Sequence, residues 1–150
     1  MSRVWIVDAC VAAKWWLSDE EFTEEALVVL RAVQNKEIQV AVPDLWLYEL
    51  TNVIVLAARH GRITKEQAEL FVKEVCRVPV SMYSLRAYLS WIADMASHHG
   101  LSAYDAAYVV LPEHLGCSFL TADDSMFNKV REQKPFIHHI REAKQLLATA

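Results

Sequence analysis

Four apolar residues, Val4, Trp5, Ile6 and Val7, run straight into a single carboxylate, Asp8, and nothing else in the 150-residue chain constrains its fold more tightly. A short run with two valines and an isoleucine reads as a strand buried on both faces, the kind found inside a parallel sheet. Asp8 then stands at the carboxyl end of that strand, where open α/β sheets place their ligands. The pattern recurs late in the chain, where residues 117–121 read as another short strand and Ala122, Asp123 and Asp124 follow it. One acid after one strand also fits a turn or a helix cap. Two at equivalent places raise the question of whether further acids meet them.

Hydrophobic periodicity fills in the rest. Residues 11–17 predict a short helix, and Ser18 with Glu21 three positions on predicts a capping box for a helix over 22–34. Residues 38–42 alternate and stop at Pro43, a second strand, so strand, helix and strand predict a right-handed parallel crossover. Asp44 is placed to cap a helix over 45–59 whose stripe takes in Leu45, Trp46, Val53, Leu56 and Ala57. Glu49 falls among them, on or beside the buried face, and reads either as a boundary residue reaching water or as a ligand aimed inward. Asn52, further along the helix, is placed to orient it by hydrogen bonding.

Gly61 ends that helix, Thr64 and Gln67 form a capping box for one reaching about residue 76, and 78–80 is a connector or minor strand. Leu85, Tyr88, Leu89, Ile92 and Ala96 mark an amphipathic helix that Gly100 closes. Ser102 and Asp105 open the next one, with Pro112 inside it and Gly116 at its end. Thr121 and Asp124 have capping-box spacing, which leaves Asp123 free to point into a crevice. A charged loop over 128–135, an edge strand at Phe136 and Ile137 and a closing helix over 139–148 complete the reading. The expected fold is α/β, three layers, with a central, mostly parallel sheet of four to five strands flanked by helices in one domain spanning 1–150.

Composition narrows the function. A net charge of −4 gives no general basic footprint, so a nucleic-acid partner would need a local patch or bound cations. The three cysteines, Cys10, Cys76 and Cys117, form neither a disulfide framework nor a zinc spacing, and no signal segment or membrane-length apolar run occurs. A cytoplasmic protein without membrane contact is the expectation. With glycine only at 61, 100 and 116, phosphate-cradling glycine loops are excluded. What remains is acid chemistry. Strand ends and the starts of the following helices share one rim, so Asp8, Glu49, Asp105 and Asp123 are expected to converge there. Clustered carboxylates repel one another unless a cation offsets them, and an all-oxygen set selects Mg²⁺, with Mn²⁺ as substitute.

The stretches around these acids resemble the PIN domains, and within them the VapC-like toxins of toxin–antitoxin pairs. Val-Asp-Ala-x-Val-Ala-x-Lys-Trp surrounds Asp8, Val-Pro-x-Leu-Trp-x-Tyr-Glu-x-x-Asn surrounds Glu49, Gly-Leu-Ser-x-Tyr-Asp-Ala-Ala-Tyr surrounds Asp105, and Leu-Thr-Ala-Asp ends at Asp123. The resemblance implies a metal-dependent endoribonuclease, a homodimer and inhibition by a small VapB-like antitoxin lying over the site. It also implies that Asp8, Glu49, Asp105 and Asp123 hold the metal and that Thr121 supports the last of them, with Asp124 as rival to Asp123. Cys10 stands where many relatives carry Ser or Asn, and Pro112 interrupts a helix usually free of proline. On this reading Lys14, Arg59, Arg62 and Lys65 are candidate RNA phosphate contacts, against the plainer account of solvated helix ends. Two competing classes are a non-catalytic scaffold whose acids merely cap helices and a phosphatase of the haloacid dehalogenase type. The latter needs an acid two residues after Asp8, where Cys10 stands.

Overall fold

The computed structural model describes residues 3–149. Five strands, β1 (Arg3–Val7), β2 (Ile38–Pro43), β3 (Val80–Tyr83), β4 (Ser118–Thr121) and β5 (Ile137–His139), form one sheet in the order β3-β2-β1-β4-β5. Every pairing is parallel, with Trp5 opposite Val40 on one side and Ser118 on the other. β1 is central, and its last three residues are buried, as the apolar run predicts. Its start differs: Val4 remains 37% exposed.

Among the described residues the α-helices are α1 (Ala9–Ala12), α2 (Thr23–Gln34), α3 (Leu45–Arg59), α4 (Lys65–Val75), α5 (Leu89–His99), α6 (Ala103–Leu115), α7 (Asp124–Val130) and α8 (Ala143–Ala148). The sheet grows from β1 to β2 and β3, then restarts on the other side of β1 with β4. Right-handed crossovers in opposite directions put their helices on opposite faces. Thus α2 packs against β2 and carries α8, while α6 lies across β1, β2 and β4 and carries α5. α6 is the central helix of its layer, buried continuously from Ala106 to Pro112. It passes through Pro112 without ending, and Gly116, at φ +65°, takes the left-handed cap conformation that a side chain resists.

Several local expectations are corrected. The expected helix over 11–17 is instead α1 followed by a 3₁₀ turn, Ala13–Trp15. Ser18 does not cap α2; Phe22 occupies the cap position at φ 58° with no side-chain hydrogen bond. Asp44 likewise makes no cap bond, and its N–H instead donates to the carbonyl of Tyr83. In α3 the buried stripe is Trp46, Leu50, Ile54 and Ala57, which leaves Leu56 36% exposed. Residues 78–80 lead into β3 as an edge strand, and α7 occupies the first part of the expected charged loop. The Thr64–Gln67 capping box forms as read, with both of its bonds present.

Candidate active site

The strand order reverses between β1 and β4, and at such a switch point two adjacent strands send their chains in opposite directions and open a crevice. Asp8 leaves β1 and Asp123 follows β4 at this point. Asp8 is anchored through its backbone: its N–H continues the ladder to Leu120, and its carbonyl accepts from Val11 and Ala12 as α1 begins. Asp8 is only 7% exposed, and its Oδ2 accepts a 2.8 Å bond from the hydroxyl of the fully buried Thr121. Thr121 Oγ1 also accepts from the Asp123 N–H at 3.0 Å. A single hydroxyl therefore locks two acids on neighbouring strands together.

Cys10 borders this junction, its Sγ accepting from the Ala122 N–H at 3.4 Å and lying 3.9 Å from Thr121 Oγ1. Since the Thr121 proton goes to Asp8, the thiol is the group able to donate across that gap. The expected Thr121–Asp124 box is not present. Asp123 itself caps α7, with Oδ1 accepting from the Met126 N–H at 3.0 Å. Asp124, 73% exposed, turns toward β5 and stands 2.8 Å from His139 Nε2 and 3.3 Å from Arg141. His139 carries no site role in the sequence, where it reads only as the start of the closing helix, and the structure places it at the end of β5. It is buried, its Nδ1 accepts from Arg141, and its Nε2 meets Asp124 at ion-pair distance without hydrogen-bond alignment.

The other two acids come from helices. Asp105 sits in the first turn of α6, its N–H bound by the Ser102 hydroxyl at 3.0 Å. Glu49 lies part-buried near the start of α3, where Oε1 accepts a 2.8 Å bond from the hydroxyl of Tyr108 on α6. Asn52 does not take that role: it is exposed, and the buried tyrosine is the partner. Helical spacing, Asp105 to Tyr108, held the signal, since the two are neighbours on one face of α6.

Electrostatics shows that these acids share a field. Burial pushes the Asp8 carboxyl up to about 6, with the charge of Asp105 adding to it and the bonds from Thr121 and Cys10 opposing. Glu49 is pushed up to about 7, chiefly by burial and further by Asp8 and Asp105, against the Tyr108 bond. Asp105 is raised by burial and then by Asp123, with Ser102 and Lys129 opposing. Asp8, Glu49 and Asp105 thus each feel another acid of the set. Among the described residues, however, no three His, Cys, Asp or Glu side chains stand close enough to cage an ion without adjustment. The donor chemistry fits a hard cation, because oxygen donors that repel one another gain most from a divalent charge.

The basic candidates divide. Lys14 is buried with Nζ 3.9 Å from Glu20, and Arg62 holds Asp19 through two bonds of 2.8 and 2.7 Å and reaches Glu20 at 3.3 Å. Both are engaged within the chain. Arg59 and Lys65 are exposed. No helix among the described residues is long and apolar enough to cross a membrane.

A five-stranded parallel sheet with carboxylates at its switch point is the frame of the PIN domain. The chain belongs to that family, whose model matches residues 5–133. Ribonuclease VapC3 of Pyrobaculum aerophilum is 28% identical over 126 residues, which cover 83% of this chain and 92% of that protein. PAE2754 from the same organism has a related crystal structure, with a TM-score of 0.72 at 24% identity, covering 99% of this chain and 91% of that one. VapBC2 from Rickettsia felis, solved bound to a DNA fragment from its promoter, matches with a TM-score of 0.58 at 10% identity, covering 91% and 98%. The two structures establish the shared fold.

Proposed function

We propose that this protein is a metal-dependent endoribonuclease of the VapC kind, the toxin of a toxin–antitoxin pair. What supports the reading most is the charge coupling of Asp8, Glu49 and Asp105, from three separate segments, with Asp123 acting on Asp105, beside the point where the strand order reverses between β1 and β4. A relative named as a ribonuclease aligns across most of both chains. Mg²⁺, or Mn²⁺ in its place, would be held by these four carboxylates and would supply Lewis acidity toward a phosphodiester and acidify a water for attack on phosphorus. The chain's own part is positional. Thr121 fixes Asp8 against Asp123, the α7 cap bond holds Asp123, and Tyr108 holds Glu49. Arg59 and Lys65 remain available for phosphates, whereas Lys14 and Arg62 would first have to leave their acidic partners.

A VapB-like antitoxin, a homodimeric state and a cytoplasmic site of action go with this reading, and the Rickettsia felis assembly supports the first. The test is cleavage of single-stranded RNA by purified protein with Mg²⁺ and with EDTA, beside an Asp8→Asn preparation handled identically. Cleavage that needs both the metal and Asp8 is expected. Equal cleavage by the variant refutes the mechanism, and a wild-type protein that neither cleaves nor gains stability from Mg²⁺ is the scaffold alternative.

A further inference from the structure

We infer that Tyr108 is a positioning residue for Glu49, holding that carboxylate toward the metal site through its phenolic hydroxyl. The inference rests on the metal-site reading above and extends it to a residue outside the acid set. Glu49 stands on α3, and unlike Asp8 and Asp123, which follow strands, and Asp105, whose N–H is bound by the cap residue Ser102, it has no local bond at its own position to fix it. Its carboxylate hangs on a flexible side chain, and the hydrogen bond found for it comes from the Tyr108 hydroxyl at 2.8 Å. Tyr108 is held far more firmly. It is 1% exposed in the continuously buried part of α6, and its ring stacks on Phe119 of β4 with centroids 5.7 Å apart and planes 20° from parallel.

Two consequences follow from chemistry. A phenol can donate one hydrogen, and here that hydrogen goes to Oε1, so Oε2 stays free for an ion. Tyr108 also shares α6 with Asp105, three residues away, which ties the placement of Glu49 to that of Asp105 across two helices. The plainer account is that Glu49 merely satisfies a buried hydroxyl. On that account, loss of the hydroxyl leaves metal binding alone.

Tyr108→Phe keeps the ring and its stacking and deletes one oxygen. Calorimetric titration of the full chain with Mn²⁺ should show affinity weakened about 10- to 100-fold, the range found when partners that orient metal ligands are removed. RNA cleavage should fall at limiting Mg²⁺ and recover at excess Mg²⁺, while melting in EDTA confirms that the variant is folded. In a Glu49→Gln background the same substitution should weaken Mn²⁺ binding no further. Affinity within twofold of wild type, or an equal loss in the Glu49→Gln background, overturns the role of Tyr108 and leaves the metal site standing. Wild-type protein that takes up no Mn²⁺ overturns the metal-site reading and this inference with it.

Discussion

Asp8→Asn should stabilise this protein. The carboxyl of Asp8 is shifted from 3.8 to about 6, chiefly by burial, so the folded chain holds that proton more tightly than the unfolded one. Stability from this group is complete below the unfolded value and is lost as pH rises through about 6, leaving the ionised form a burden at neutral pH. At about 1.4 kcal/mol per pKa unit, the burden reaches roughly 3 kcal/mol. Asparagine has nearly the same shape, keeps an oxygen for the Thr121 hydroxyl and carries no charge. In EDTA near neutral pH the variant should therefore melt about 6 to 12 °C above wild type, at about 2 to 4 °C per kcal/mol for a chain of this size. Near pH 4 the difference should fall below about 1 kcal/mol, since both side chains are then largely neutral. Saturating Mg²⁺ should narrow it from the other direction by stabilising wild type, about 2.7 kcal/mol at one hundred times the dissociation constant. Thermal melts of both proteins across pH, with and without Mg²⁺, measure all three. A variant that melts at or below wild type in EDTA at neutral pH, with a gap indifferent to pH, refutes the argument that Asp8 is a buried charge awaiting a cation.

Three further outcomes check other parts of the structure. Thr121→Val removes the fully buried donor to Asp8 and the acceptor of the Asp123 N–H at constant shape; urea melts should show a loss of about 1 to 3 kcal/mol, and Thr121→Ser should recover most of it. Burial lifts the Cys10 thiol well above its ordinary value, the charge of Asp8 adding to the effect, whereas Cys76 is exposed. Mass spectrometry after iodoacetamide should find Cys76 alkylated first and Cys10 slowest; rapid labelling of Cys10 would contradict the packing around Thr121. Gly116→Ala should cost about 1 kcal/mol in urea melts through backbone strain alone, since φ is +65° and a Cβ there meets nothing within 4 Å.

What could be read from the chain divides along physical lines. Parallel strands buried on both faces leave a near-continuous apolar signature, which is why Val4 to Val7 and Cys117 to Thr121 were legible as strands and Asp8 and Asp123 as acids after them. Glycine caps and the Thr64–Gln67 box were legible because the geometry they serve is local. Ser18 and Asp44 misled for the same reason: capping residues are common in turns, and here a left-handed Phe22 and a backbone bond to Tyr83 took their places. Thr121 was seen as a cap partner for Asp124, yet its hydroxyl goes to Asp8, 113 positions away. Tyr108, present only as the last residue of the motif around Asp105, drew no role because its partner Glu49 lies on another helix, whereas His139 was missed although its bonds to Arg141 and Glu142 are local. Asn52, chosen for its spacing from Glu49, lost to a residue on another helix.

These distances divide the site into a stiff half and a compliant half. Asp8 and Asp123 follow adjacent strands, are fixed by backbone bonds and share one hydroxyl, so neither moves without breaking the junction between β1 and β4. Asp105 and Glu49 stand on α6 and α3, and the bond found between those helices at the site is the one from Tyr108. On the proposed metal-site reading, bringing four oxygens around an ion would fall to the helices, with the strands as the fixed reference. It would fit acids that share a field without forming a ready cage among the described residues. Changes that shift α3 against α6 should weaken metal affinity while the sheet keeps its stability, whereas changes at Thr121 should damage both together.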